Sequence, residues 1–262
     1  VSYLWQRTDK RIGINEELGV RNEKLRYCLT AMIFLSVGAN SVRPFTLYFD
    51  ILQKEVIIMI KAMNISYEIG DKLYLNITNK CPCNCTFCIR HNGDGAYGSD
   101  PLWLEHQPTA EEVIDNIKKR DLDSYKEIIF CGYGEPTCEL EILKETAKYI
   151  KSVTKTPVRI NTNGLSDLIN KRETPAEFKG LVDIISISLN ASDAKAYDEV
   201  TRPSFKGVNC FEEMLSFAKR VKEFVPEVML TVVDIIGEEE IKKSQAVADS
   251  VGIHLRVREY VD

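Results

Sequence analysis

No uninterrupted apolar run in this chain reaches the roughly 18–20 residues needed to cross a bilayer. The longest, residues 28–39 (CLTAMIFLSVGA), follows Lys24 and Arg26 in the manner of a secretory leader but starts too far from the N-terminus to be one. It reads as a buried helix, and a cytoplasmic protein with no membrane partner is expected. Positive charge is not in excess either. Thirty-four Lys and Arg face 39 Asp and Glu, a net charge of −5, which argues against a nucleic-acid backbone as the main partner. Spacings suited to disulfides are lacking too: four of the eight cysteines crowd into positions 81, 83, 85 and 88, where most pairings would be strained. In a reducing compartment such crowding marks a metal or cluster site. Internal repeats and low-complexity segments are absent.

What is present is an ordinary globular composition, 44% hydrophobic and 28% charged. The charge is uneven. Residues 1–62 hold nine basic and six acidic residues, a net of +3, and the remaining 25 basic and 33 acidic residues give −8. Apolar stretches at 28–39 and 45–63 suit two helices. The chain begins with Val, and Met59 and Met63 stand just before the regular pattern. Two readings follow: residues 1–62 are an extension upstream of a core at 63–262, or they are a small helical appendage packed on it.

From about residue 71, strand-like and helix-like segments alternate. Leu73, Leu75 and Ile77 alternate with Tyr74, Asn76 and Thr78, the period-two signature of a strand. Thr109 with Glu112 forms a capping box that opens a helix carrying Val113, Ile114 and Ile117 on one stripe. Further strands are expected at 128–130, 157–161, 184–190, 228–236 and 254–260, with helices at 140–150, 209–224 and 238–251 among others. Strands alternating with helices imply parallel pairing through right-handed crossovers, and runs such as VDIISISL suit strands covered on both faces. Six such units are two short of a full eight-fold barrel. Periodicity alone does not separate an open doubly wound sheet from a partial barrel.

The chemistry centres on Cys81-Pro-Cys83-Asn-Cys85-Thr-Phe87-Cys88. Omitting Cys83 leaves a C-x3-C-x2-C spacing, in which three thiolates can ligate three irons of a cubane and leave the fourth open. Phe87 would shield the cluster from water. Cys83 is either an inert thiol or a competing ligand. A zinc site on Cys81, Cys85, Cys88 and His91 is the alternative; the C-x2-C-x2-C-x3-C-P run of ferredoxins is missing.

This loop resembles the signature of the radical S-adenosylmethionine (SAM) superfamily, and other segments are similar to that family's in the same order. Gly132-Tyr133-Gly134-Glu135-Pro136 resembles the segment that binds the SAM amino group. Asn161-Thr162-Asn163-Gly164 resembles a further segment of several groups, and Ser188-Leu189-Asn190 one whose polar side chains reach the ribose and carboxylate. Ile235, Gly237 and Glu240 resemble the adenine-supporting segment, with Val233 in place of its first glycine, and the last strand around Val257 would add a backbone contact. Each falls at the C-terminal end of an expected strand, where parallel β/α folds bind ligands. Phrases such as LYLNITNKC and CGYGEPT further resemble a short TatD-linked subgroup.

The resemblance implies an α/β fold, a partial (β/α)6 TIM-like barrel of parallel strands preceded by the short N-terminal extension. It implies a [4Fe-4S] cluster on Cys81, Cys85 and Cys88 that cleaves SAM to methionine and a 5′-deoxyadenosyl radical. That radical would take hydrogen from an unidentified small-molecule or protein substrate. An electron donor such as flavodoxin or ferredoxin is the implied partner. Gly134 and Glu135 would fix the methionine amine, and Asn163, Ser188 and Asn190 the carboxylate and ribose, with Arg202 a further carboxylate partner or a surface ion pair. The loop at 90–106 offers Arg90, His91, Tyr97 and Trp103 as substrate contacts; Cys131 and Cys138 read as buried thiols. No cysteine follows Cys210, so a C-terminal auxiliary cluster is not expected. A glycyl-radical activase acting on a partner protein and a zinc-stabilised binding module are the competing functions.

Overall fold

The computed structural model describes residues 63–91 and 99–259. The expected helices at 28–39 and 45–63, and the division between an extension at 1–62 and the core, lie outside that range, apart from Met63 itself. Seven strands form one sheet in the order β1-β2-β3-β4-β5-β6-β7. β1 (Ser66–Ile69) and β2 (Lys72–Leu75) make an antiparallel hairpin. β3 (Glu127–Phe130), β4 (Val158–Thr162), β5 (Ile184–Ser188), β6 (Glu227–Val233) and β7 (His254–Arg258) then extend β2 in parallel.

The α-helices are α1 (Ala110–Ile117), α2 (Leu140–Val153), α3 (Ser166–Asn170), α4 (Ala194–Thr201), α5 (Cys210–Val221) and α6 (Glu238–Ser250). Strand order that follows sequence order, with crossovers of one hand, places the helices on one face and curls the sheet. A doubly wound sheet would instead reverse its order at a switch point. The six parallel strands are thus a partial barrel.

Alternate side chains on each strand serve different faces. Leu73, Leu75, Ile128, Phe130, Val158, Ile160, Ile185, Ile187, Leu230, Val232 and Leu255 pack with Val113, Ile117, Leu143, Ala147, Ile150, Met214, Phe217 and Ala248 from the helices in one continuous core. Registers set the opposite, concave row: Asn161 pairs with Ser186, Ser186 with Met229, and Met229 with His254. That face is polar over most of its length.

The expected capping box is present: Thr109 Oγ1 accepts from Glu112 N, and Glu112 Oε2 accepts from Thr109 N. The five later strands fall at their expected positions within a few residues. β6 ends at Val233 rather than 236, because Asp234–Ile236 turn into a 3-10 helix. β1 was not expected from the sequence; its four residues precede a Gly70-Asp71 turn in which Gly70 has φ 60°, and a run that short carries little periodic signal.

Candidate functional site

The cysteine loop leaves the end of β2 and is held by backbone bonds to the segment ending α4. Asn84 N donates to Thr201 O (3.0 Å), Thr86 N to Val200 O (2.9 Å), and Ser204 N to Pro82 O (2.9 Å). Cys83 forms a further bridge with Pro203. Segment 197–204, read from the sequence as a place for Arg202 to meet a carboxylate, thus scaffolds the loop with its backbone. Arg202 itself closes α4 in the left-handed region at φ 47°.

Cys81, Cys85 and Cys88 are half-buried and Cys83 is buried. The Cys83 thiol lies within hydrogen-bonding reach of the sulfurs of both Cys81 and Cys85. Those hydrogen bonds, helped by the nearby Arg90 guanidinium, bring Cys81 and Cys85 below the ordinary thiol range and keep Cys83 protonated. Arg90 Nε donates to Cys88 Sγ (3.2 Å) and Nη2 to Cys83 O (2.9 Å). Arg90, expected among substrate contacts, is therefore engaged with the cysteine loop. Phe87 is half-buried in that loop. Tyr97 lies outside the described residues, His91 is exposed, and Trp103 packs edge-on against Tyr133 at 5.1 Å.

At the end of β3, Gly132 and Gly134 lie against the exit of β2. A Cβ on Gly132 would stand 2.1 Å from Asn76 Oδ1, and one on Gly134 2.2 Å from Thr78 O; only glycine permits that approach. Glu135, 4% exposed, ties β3 to β4. Its Oε1 accepts from Thr137 N (3.1 Å), Thr137 Oγ1 (2.7 Å) and Thr162 Oγ1 (2.7 Å), and its Oε2 from Asn163 N (2.7 Å). Burial raises the Glu135 carboxyl above its ordinary range, opposed by these donors. Asn163 in turn accepts from Leu165 N (2.9 Å), and its Nδ2 lies 3.7 Å from Cys83 Sγ. One carboxylate therefore joins the GYGEP and NTNG segments, and Asn163 joins both to the cysteine loop. Thr137, in the 3-10 turn after Glu135, and Thr162, the last residue of β4, are its side-chain partners and were not singled out in the sequence.

The remaining segments meet on the same rim. Ser188 ends β5, and Asn190 follows in the left-handed conformation at φ 64°, a region an asparagine tolerates better than most. Ser192 N donates to Glu240 Oε1 (2.8 Å), so the turn after β5 is pinned by the helix after β6. Gly237, at φ 83° and ψ 158°, makes the entry to α6, a backbone region essentially reserved for glycine. Ile235 is 60% exposed and Val257 44% exposed, an apolar surface uncovered at the rim. Register pairs Val257 with Val232, a helix-facing residue, so its side chain points away from the concave face.

From the strand interiors up to the rim, where Arg258 ends β7 opposite Val233, the concave face carries residues that were not named as site candidates. β4 (VRINT) presents Arg159 and Asn161, and β7 (HLRVR) presents His254, Arg256 and Arg258. Polar side chains at alternate positions of buried strands were a readable signal for these. Cys131 is bonded to the Asn161 side chain; burial first of all keeps it protonated, while the charges of Arg258 and Arg159 pull the other way. Burial likewise pushes Cys138 up to about 12.

The donor set suits a cubane. Three thiols sit on one loop, and two of them are drawn toward the thiolate form that ligates metals. Among the described residues no three His, Cys, Asp or Glu side chains converge on a point that would hold a single ion. A closed zinc site on Cys81, Cys85, Cys88 and His91 needs such convergence. A cubane takes its thiolates on separate irons.

Comparison with known proteins agrees. Over 193 residues the chain is 24% identical to the tRNA-2-methylthio-N(6)-dimethylallyladenosine synthase of Staphylococcus aureus (strain JH9), covering 69% of this chain and 35% of that protein. The chain thus spans about a third of the length of the curated relatives it matches. Among solved structures, a hexahistidine-tagged anSMEcpe with bound AdoMet shares the fold with a TM-score of 0.50 at 17% identity, over 72% of this chain and 50% of that one. The Radical SAM superfamily pattern matches residues 75–246, from the end of β2 into α6. The chain belongs to the Radical SAM superfamily, enzymes whose cofactors are a [4Fe-4S] cluster and SAM.

Proposed function

We propose that this chain is the catalytic core of an enzyme that cleaves SAM reductively and directs the product radical to a hydrogen atom of a substrate bound on the concave face. When bound, the cluster and SAM supply the electron transfer and the 5′-deoxyadenosyl radical. The protein binds, orients and excludes water.

Cys81, Cys85 and Cys88 would hold the cluster, with Arg90 donating to the Cys88 sulfur and Phe87 limiting water. The bends at Gly132 and Gly134 expose backbone carbonyls that suit an ammonium group. Glu135 acts through Thr162 and Asn163, presenting the Asn163 side chain to the same place. Asn161 extends that polar row inward, and Ser188 and Asn190 offer hydroxyl and amide groups to a ribose. Ile235, Gly237 and the backbone at Val257 offer a flat apolar surface to an adenine. An external donor such as flavodoxin or ferredoxin delivers the electron. All seven described cysteines are unpaired, which suits the reducing cytoplasm, and among the described residues no helix is long and apolar enough to cross a membrane.

One observation carries this reading: the segments after β2, β3 and β4 are joined around the cysteines through Glu135, Asn163 and the close approach of Gly134 to Thr78, and the turn after β5 is pinned to the helix after β6 through Glu240. The test is anaerobic reconstitution with iron and sulfide, then dithionite and SAM, with 5′-deoxyadenosine as the readout. The native chain is expected to form it. The triple Ala variant of Cys81, Cys85 and Cys88 is expected not to, and Cys83→Ala is expected to retain it. Stoichiometric zinc with no cluster would overturn the reading.

A further inference from the structure

We propose that the concave face binds the substrate of this enzyme through an anionic group, a carboxylate or a phosphate, seated on Arg258, with Asn161 accepting a hydrogen bond from a neighbouring N–H or O–H of the same molecule. The inference rests on the reading of the rim as the SAM site.

Arg258 sits on the concave row of β7, opposite Val233 in register. In a flat sheet β7 lies four strands from β3, roughly 19 Å away at about 4.8 Å per strand. Cys131, just after β3, is nonetheless hydrogen-bonded to the Asn161 side chain and lies within Coulomb range of Arg258 and of Arg159 from β4. The curl of the sheet therefore brings Arg258, Arg159 and Asn161 into the neighbourhood of Cys131 on the concave face.

The polar atoms there are incompletely matched. Arg159 is 6% exposed and its Nη1 meets Glu127 Oε2 at 3.2 Å, a carboxylate shared with Lys72 at 3.3 Å. Its charge is therefore met. Its Nε, the Oδ1 of Asn161 and the Nε of Arg258 are buried and have no hydrogen-bond partner. Arg258 goes further: among the described residues it takes part in no ion pair and no side-chain hydrogen bond. Glu135 is the other carboxylate felt at Cys131, but its oxygens are engaged by Thr137, Thr162 and Asn163.

An inward guanidinium with a buried, unpaired Nε is costly unless an anion completes it. Its planar fork matches a carboxylate or phosphate. The proposed SAM layout puts that cofactor's carboxylate at the cysteine end and its neutral adenine beside Val257. The anion at Arg258 is therefore the substrate's.

Equilibrium dialysis of the reconstituted, SAM-loaded full chain against labelled acetate and labelled inorganic phosphate tests this. One of the two is expected to bind at one site per chain, and which one binds identifies the group. Arg258→Gln is expected to weaken that binding by at least about tenfold, or 1.4 kcal/mol, with SAM affinity unchanged. Arg258→Lys keeps the charge without the fork, and is expected to bind the same anion more weakly than the native chain but better than Arg258→Gln. Binding of neither anion to the native chain, undiminished binding to Arg258→Gln, or an equal loss of SAM affinity in that variant would each overturn the proposal. Deoxyadenosine formation in the same preparation reports on the radical reading separately. Deoxyadenosine without anion binding sinks only the anion site, whereas Arg258-dependent anion binding in a loaded chain that forms none sinks the radical reading.

Discussion

Glu135 shows how a single side chain can tie together the segments around a site. Two of its four contacts, from Thr162 and Asn163, join the exit of β3 to the end of β4, the other two hold Thr137 in its own turn, and the backbone it fixes carries Asn163. A glutamine there keeps the shape but has one acceptor oxygen for donors that now approach both. Glu135→Gln is expected to cost about 1–3 kcal/mol at neutral pH, the range for a buried donor left unmatched, read by urea denaturation. The pH dependence has a definite sign. Burial raises the folded carboxyl above its ordinary 4.5, so the folded state holds the proton to higher pH than the unfolded one. This group's contribution to stability is fully present below 4.5 and falls as pH rises through the raised value. The stability gap between native chain and variant is expected to narrow over that window. A gap that widens with pH would mean the hydrogen bonds outweigh desolvation.

At the scale of elements, the turns that leave the strands are where sequence has least freedom. Gly134 meets backbone: a Cβ would stand 2.2 Å from Thr78 O, which cannot rotate away. Gly237 has open space around it and needs glycine only for its φ of 83°. The two alanine substitutions should therefore differ. Gly237→Ala is expected to cost about 1–3 kcal/mol, the penalty of a backbone region essentially reserved for glycine. Gly134→Ala must push β2 from β3, and is expected to cost more than about 3 kcal/mol, above the ordinary range for single substitutions. Thermal midpoints of the two variants check the order; equal losses would show that the β2 exit yields. The helix α1 and strand β2 were legible from clean periods of 3.6 and 2, with the capping box marking a start, and the later strands from short apolar runs set between helical segments. The hairpin strand β1 and the 3-10 turn after β6 were not, since a few residues hold too little periodicity to outweigh tertiary pairing.

For the molecule as a whole, the cysteine loop touches the apolar core through its first half, Cys83 lying in the core with Cys81 and Cys85 packed against it. The core itself runs unbroken between the strands and the helices, and the loop at 81–91 is otherwise held by a handful of backbone bonds to 200–204 and by Arg90. Stripping iron with a chelator is therefore expected to leave the far-ultraviolet circular dichroism near native, while amide exchange accelerates at residues 81–91. Global unfolding on iron loss would show instead that metal binding and folding are coupled, as in small zinc domains.

The sequence by itself determined the alternation of strands and helices, the cysteine spacing, and the order of the rim segments, because each is written in local periodicity or in adjacent residues. It left undecided whether the sheet was open or curled. Strand order decided that, since pairing in sequence order puts the helices on one side. Only the tertiary structure turned Arg90 from a substrate candidate into a partner of Cys88, and made the segment around Arg202 a clamp for the cysteine loop. It also brought Arg258 from the last strand toward Cys131 on the third. These are contacts between residues tens to more than a hundred positions apart or, for Arg90, a choice of side-chain direction. A local pattern encodes which face a residue occupies, whereas its partner depends on how the sheet curls.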